Sequence, residues 1–159
     1  LRLNAKIEKF TLMSAQYSSK HGIVSRPQAE LYMAFTDMRN FVAMLPEERK
    51  QGVTADFDTI SATVQGFTIG VKVTRREPYN YIELQDDGAP FKFTVSLYFD
   101  EAGESGKTDF HIDLLAELNI MMKMMIGGKL KEALDKVVDA LVAVSEGRRP
   151  EGLPDDFKF

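Results

Sequence analysis

The sequence predicts an α+β domain: a curved antiparallel sheet wrapped round a long C-terminal helix, with two short helices after the first strand. Two observations carry this. Between positions 59 and 118 one segment after another alternates apolar and polar residues with period two, and the breaks between them hold turn residues rather than helical stretches. From 120 to 144 the period changes to that of a helix, and its apolar residues fall in a single stripe. A sheet with one apolar face and a helix with one apolar stripe must cover each other.

The elements follow in order. A short strand is expected over Tyr17–Ser25, stopped by Arg26-Pro27. Pro27 suits the first turn of a helix and Ser25 is placed to cap it. Leu31, Tyr32 and Phe35 then recur at helical spacing; Asp37 can cap a second short piece holding Phe41, Met44 and Leu45, which Pro46 ends. Strands are expected over 59–65 (Ile60, Ala62, Val64 inward), 67–75 (Phe67, Ile69, Val71, Val73 inward) and around Ile82 and Leu84, followed by the turn Asp86-Asp87-Gly88. In 91–99, Phe91, Phe93, Val95, Leu97 and Phe99 alternate with polar residues, as do Phe110, Ile112, Leu114, Ala116 and Leu118 in 108–118. Consecutive hairpins make the sheet antiparallel. Asn119 caps the long helix, whose stripe runs through Met122, Met125, Ile126, Leu130, Leu134, Val137, Val138 and Leu141, while Gly127-Gly128 is a place for it to loosen or kink. Gly147 stops it.

The boundaries expected are an N-terminal extension over residues 1–13, one domain over 14–145 and a tail over 146–159, poorly ordered or docked on a neighbour. For residues 1–12 two explanations stand: a segment foreign to the native chain, with Met13 the natural start, or a native amphipathic extension. The intact mass of protein from its own host separates them.

At 159 residues and 17.9 kDa the chain fits one core. With 20 basic and 24 acidic residues the net charge is −4, the wrong sign for nucleic acid as main partner. The absence of cysteine excludes disulfides and thiolate chemistry, and no apolar run reaches the ~18 residues of a membrane span. Residues 1–12 are too short and too charged for a secretory leader, so the expected location is cytoplasmic.

Few residues point to catalysis. Asp109, His111 and Asp113 share one strand face, but Phe110, Ile112 and Leu114 claim the buried side, so the row is expected to be wet and no metal is expected there. His21 lies on a strand of uncertain facing. Glu83, Asp86 and Asp87 fit a turn better than an acid/base pair, and Arg75-Arg76 and Arg148-Arg149 are expected to be solvated. No serine stands in a nucleophile elbow and no glycine-rich phosphate loop follows a strand.

Val24-Ser-Arg-Pro-Gln-Ala-Glu-Leu-Tyr32, continued by Phe35-Thr-Asp37 and Phe41, resembles the first strand and helix of the SRPBCC superfamily. This is the helix-grip fold of START-related, birch-pollen-allergen-like and polyketide cyclase-like proteins. Ala116-Glu-Leu-Asn-Ile-Met-Met-Lys-Met-Met125 looks like the last strand and helix start of small bacterial members. The resemblance covers about residues 14–144, rests on structural motifs, and implies a cavity for apolar or amphipathic small molecules.

The expected function is therefore non-catalytic binding or transport of a hydrophobic, lipid-like or polyketide-like molecule between sheet and C-terminal helix. The lining expected is Phe41, Ile69, Phe93, Phe110, Ile112, Met122, Met125 and Ile126, with no catalytic residue and no cofactor. A polyketide cyclase/dehydratase-like enzyme is the alternative, which needs titratable groups converging inside. A solid-cored interaction domain is a further one, since the 11 Phe and 8 Met could fill the hollow. Nothing in the sequence fixes whether the chain forms a homodimer.

Overall fold

The computed structural model describes residues 12–43, 45, 47–64 and 66–148. The extension before Leu12, Met44, Pro46 and the tail beyond Arg148 lie outside the described residues. The chain runs β1 (Met13–Ser18), β2 (Gly22–Val24), α1 (Gln28–Thr36), α2 (Arg39–Ala43), α3 (Glu47–Lys50), β3 (Val53–Ala55), β4 (Thr59–Val64), β5 (Phe67–Glu77), β6 (Tyr81–Asp86), β7 (Phe93–Glu101), β8 (Thr108–Leu118) and α4 (Ile120–Ser145).

All eight strands form one antiparallel sheet in the order β1-β8-β7-β6-β5-β4-β3, with β2 beside β1 on the same edge of β8. The architecture is the curved sheet and long helix that the alternation predicted. Asn119 caps α4 as expected, its side-chain oxygen accepting from the Met122 N–H at 2.8 Å.

The structure corrects several local expectations. The first strand starts at Met13, not Tyr17, and is broken into β1 and β2. Ser18 pairs with Asp113 but Gly22 pairs with Phe110, so β1–β2 contains one residue more than β8 across the break. Ser19 repairs the ladder there: its hydroxyl accepts from the Ile112 N–H at 2.8 Å and donates to the Lys20 carbonyl at 2.8 Å. Ser25 does not cap α1. Pro27 stands at the cap without a side-chain bond, and the Ser25 N–H is used instead by the Ser145 hydroxyl oxygen at 3.0 Å, which joins the end of α4 to the start of α1. Two short elements without strong periodicity, α3 and β3, were not expected.

Gly127-Gly128 neither stops nor interrupts α4, which runs through both. Gly127 is buried because the helix passes directly over Tyr17 of β1: a Cβ at 127 would lie 2.8 Å from the Tyr17 hydroxyl. Further along, α4 lies against Gly22 of β2, where a Cβ would meet Val138 Cγ1 at 2.5 Å and Val142 Cγ2 at 2.7 Å. Two glycines, one in the helix and one in the sheet, thus allow close approach along the β1–β8–β2 edge.

The main core gathers Leu31, Phe35 and Met38 around α1 with Ile82, Leu97, Phe99, Phe110, Ile112, Val138 and Leu141. Phe35, Phe99 and Phe110 meet ring to ring with centroids 5.4–5.8 Å apart. A second, smaller cluster of Ala15, Ala116 and Leu118 lies under the N-terminal half of α4.

Candidate functional site

Partly buried apolar residues of the inner face come from three sides. β1 supplies Tyr17, which shares the inward face with Leu114 opposite it. The sheet supplies Phe93 and Val95 of β7, Val71 and Val73 of β5 and Ile60 of β4, which face inward by register with the buried Leu84 and Ala116. The third side is α4, with Met122, Ile126, Leu130 and Leu134. These inward apolar residues are partly buried, unlike Phe99, Phe110 and Val138, which are sealed. Along the sheet-facing side of α4, Val138 and Leu141 are sealed, whereas Met122, Ile126, Leu130 and Leu134 are only partly buried.

A buried side-chain hydroxyl lies under the N-terminal half of α4. The Tyr17 hydroxyl is buried, directly beneath Gly127, and finds no hydrogen-bond partner among the described residues. Burying a hydroxyl without a partner costs on the order of 1–3 kcal/mol. The sequence did not mark Tyr17, because the extra residue of the β1–β2 break, which sets the facing of this edge, has no signature in it.

The eight residues expected to line a cavity divide by position. Phe93, Met122 and Ile126 are partly buried around the second cluster, and Phe41 packs partly buried on the main core. Phe110 and Ile112 are 0% and 3% exposed, inside the main core. Met125 is 67% exposed on the solvent side of α4, and Ile69 is 42% exposed near the far end of the sheet. Of the helical stripe, Val137 also faces out, at 47% exposure.

Titratable groups with displaced pKa values lie elsewhere. Asp37 is held below the usual carboxylate range chiefly by its hydrogen bond from Arg39, Asp56 by Thr59, and Asp135 by Lys131. Burial pushes the Tyr98 phenol up and the His111 imidazole down, with His21 adding to the second effect. Tyr98 and His111 face outward by register, opposite each other and beside Asp113 and Asp100.

Arg76 departs from its expected solvated position. β5 carries one residue more than β6 between Val73 and Arg75, so Arg76 pairs with the buried Ile82 and shares its face. Its guanidinium donates to Thr36 Oγ1 and the Thr36 carbonyl, both at 2.7 Å, to the Phe57 carbonyl at 3.2 Å and to Asp58 Oδ1 at 2.6 Å. It holds the C-terminal end of α1 and the turn after β3 against the sheet.

Several solved structures share this fold. A protein from Thermobifida fusca, solved in solution by NMR, superposes with a TM-score of 0.63 at 8% identity, over 84% of this chain and 96% of that one. Norcoclaurine synthase from Thalictrum flavum, as a point mutant in complex with a transition-state analogue, gives 0.61 at 10% identity over 86% and 97%. The same enzyme in complex with dopamine and hydroxybenzaldehyde gives 0.55 at 11% over 80% and 86%. At such identities the likeness establishes the helix-grip fold. No protein-family model and no curated protein sequence matches the chain.

Proposed function

We propose that the chain belongs to the SRPBCC superfamily and binds a hydrophobic or amphipathic small molecule between its sheet and the N-terminal half of α4, without transforming it. The observation that carries this is the Tyr17 hydroxyl, buried under Gly127 with no hydrogen-bond partner among the described residues. Inward apolar residues on β4, β5, β7 and the N-terminal half of α4 stay only partly buried. An apolar lining with one unused polar group is what orients an amphipathic ligand. Removing that apolar area from water drives binding, and a ligand acceptor or donor at Tyr17 offsets the cost of burying its hydroxyl. That norcoclaurine synthase, with this fold, is seen with dopamine and hydroxybenzaldehyde supports a ligand of small aromatic size.

Native mass spectrometry of protein purified from its own host tests this. The expected result is an adduct that disappears on denaturation. Ile126→Trp should abolish the adduct by filling the space from the helix side, with the far-UV circular dichroism unchanged. An adduct that survives Ile126→Trp sinks the placement, and wild-type protein without any adduct favours a solid-cored interaction domain.

A further inference from the structure

The extra residue in the β1–β2 break has a consequence on the outer face of the sheet. Continuing the β2 register back by one residue from Gly22↔Phe110 sets His21 opposite His111, pointing outward. The unbroken β1 register would instead have set His21 against Phe110, inside. The two imidazoles are stacked with centroids 4.1 Å apart, and His111 lies flat on Tyr98, 4.5 Å away at 2°. Diagonally, His21 Nδ1 is 2.9 Å from Asp109 Oδ1. One ring nitrogen from each histidine and one oxygen of Asp109 all lie within 4.8 Å of one another.

Two features leave this cluster unfinished. The Nδ1 of His111 is buried without a hydrogen-bond partner among the described residues. Asp109 also stands directly opposite Asp100 across β7–β8, a like-charge pair that works against the sheet. Both are what a bound cation would correct.

We propose that His21, Asp109 and His111 form a site for one late first-row divalent cation of the zinc class. Two imidazoles and a carboxylate suit such an ion, whereas magnesium and calcium take oxygen donors. Bonds of about 2.0–2.2 Å set the donors of a tetrahedral ion roughly 3.4 Å apart. Parallel stacked rings do not aim their lone pairs at one point, so loading requires the His21 ring to tip out of the stack. Its side chain is 59% exposed and free to do so, while Tyr98 fixes the plane of His111. The remaining coordination position faces solvent. The ion would fasten the β1–β2 break to β8, on the side of the sheet away from the apolar interior, so it acts on the fold and does not depend on the ligand proposed above. It departs from the expectation of no metal because His21 is far from the D-x-H-x-D row in sequence.

The test is calorimetric titration of zinc chloride into the full chain after chelator treatment and removal of the chelator. The expected result is one equivalent bound, a rise in Tm with zinc but not with magnesium, and at least about tenfold weaker binding in His21→Ala, Asp109→Asn and His111→Phe. His111→Phe keeps a ring on Tyr98, so its loss of binding reports the nitrogen and not the stack. Cobalt loading should give a visible d–d band in the wild type that all three variants lack. No saturable binding, or zinc affinity unchanged in the three variants, overturns the site.

Discussion

Arg76 turns one extra strand residue into a tertiary clamp. The bulge at Thr74 shifts Arg76 onto the face of Ile82, where its side chain is only 22% exposed and bonds two backbone carbonyls, a threonine hydroxyl and Asp58. The Thr36 carbonyl belongs to the last turn of α1, where a cation is also favoured by the helix dipole. Lysine keeps the charge but not the planar fork. Arg76→Lys is therefore expected to lower stability by about 2 kcal/mol, read as a lower urea midpoint; a loss under about 0.5 kcal/mol, the size of an ordinary surface change, contradicts the clamp. Tyr17 makes the opposite case. Removing an unpartnered hydroxyl removes its desolvation cost, so Tyr17→Phe should raise the stability of the ligand-free chain by about 1 kcal/mol while weakening retention of the native adduct. A destabilised Tyr17→Phe would mean that the hydroxyl is already satisfied.

At the scale of elements, the close approach of α4 to Gly22 is the most exacting contact. Val138 and Val142 are β-branched and have one favoured rotamer in a helix, so they cannot swing aside for a new methyl group. Gly22→Ala should cost about 1–3 kcal/mol, and Val138→Ala in the same chain should return part of it, a coupling visible in a double-mutant cycle. Strict additivity of the two changes would show that the helix can shift instead. Hydrogen exchange should divide α4 likewise: amides near Val138 and Leu141 protected longer than those near Met122 and Ile126, because only the former are sealed against the main core. Much of this architecture was legible beforehand. Period two in β4–β8 and the cap at Asn119 are local signals that the tertiary structure reinforces. What escaped was register. A one-residue bulge reverses facing without changing composition, and it occurs twice, before Gly22 and at Thr74. Tyr17, His21 and Arg76 were misjudged or unmarked for that reason. Met125 was placed on the wrong side because a long apolar stripe drifts round a helix, and the partner sheet covers only part of it.

For the whole molecule the pH dependence of stability should fall into two separate windows. Above 6.5, the ordinary histidine value, His111 is neutral in folded and unfolded chain alike and contributes no slope. Its folded pKa is lowered, by burial first and by His21 second, against the pull of Asp113, Asp100 and Asp109. Below 6.5 the unfolded imidazole takes up its proton before the folded one does. The unfolded state then binds more protons, so stability falls as the pH falls, until the lowered folded value is passed and the difference becomes constant. Asp37, Asp56 and Asp135 act further down. Their folded pKa values lie below 3.8, so the stability they add is complete above that value and lost as the pH drops through the folded values. Urea midpoints measured in chelating buffer should begin to decline as the pH falls below 6.5, and decline again below about 4. His111→Phe preserves a ring on Tyr98 and has nothing to protonate, so it should flatten the upper window and leave the lower one unchanged. An upper window that persists in His111→Phe would mean that burial of His111 does not account for the acid sensitivity of the fold.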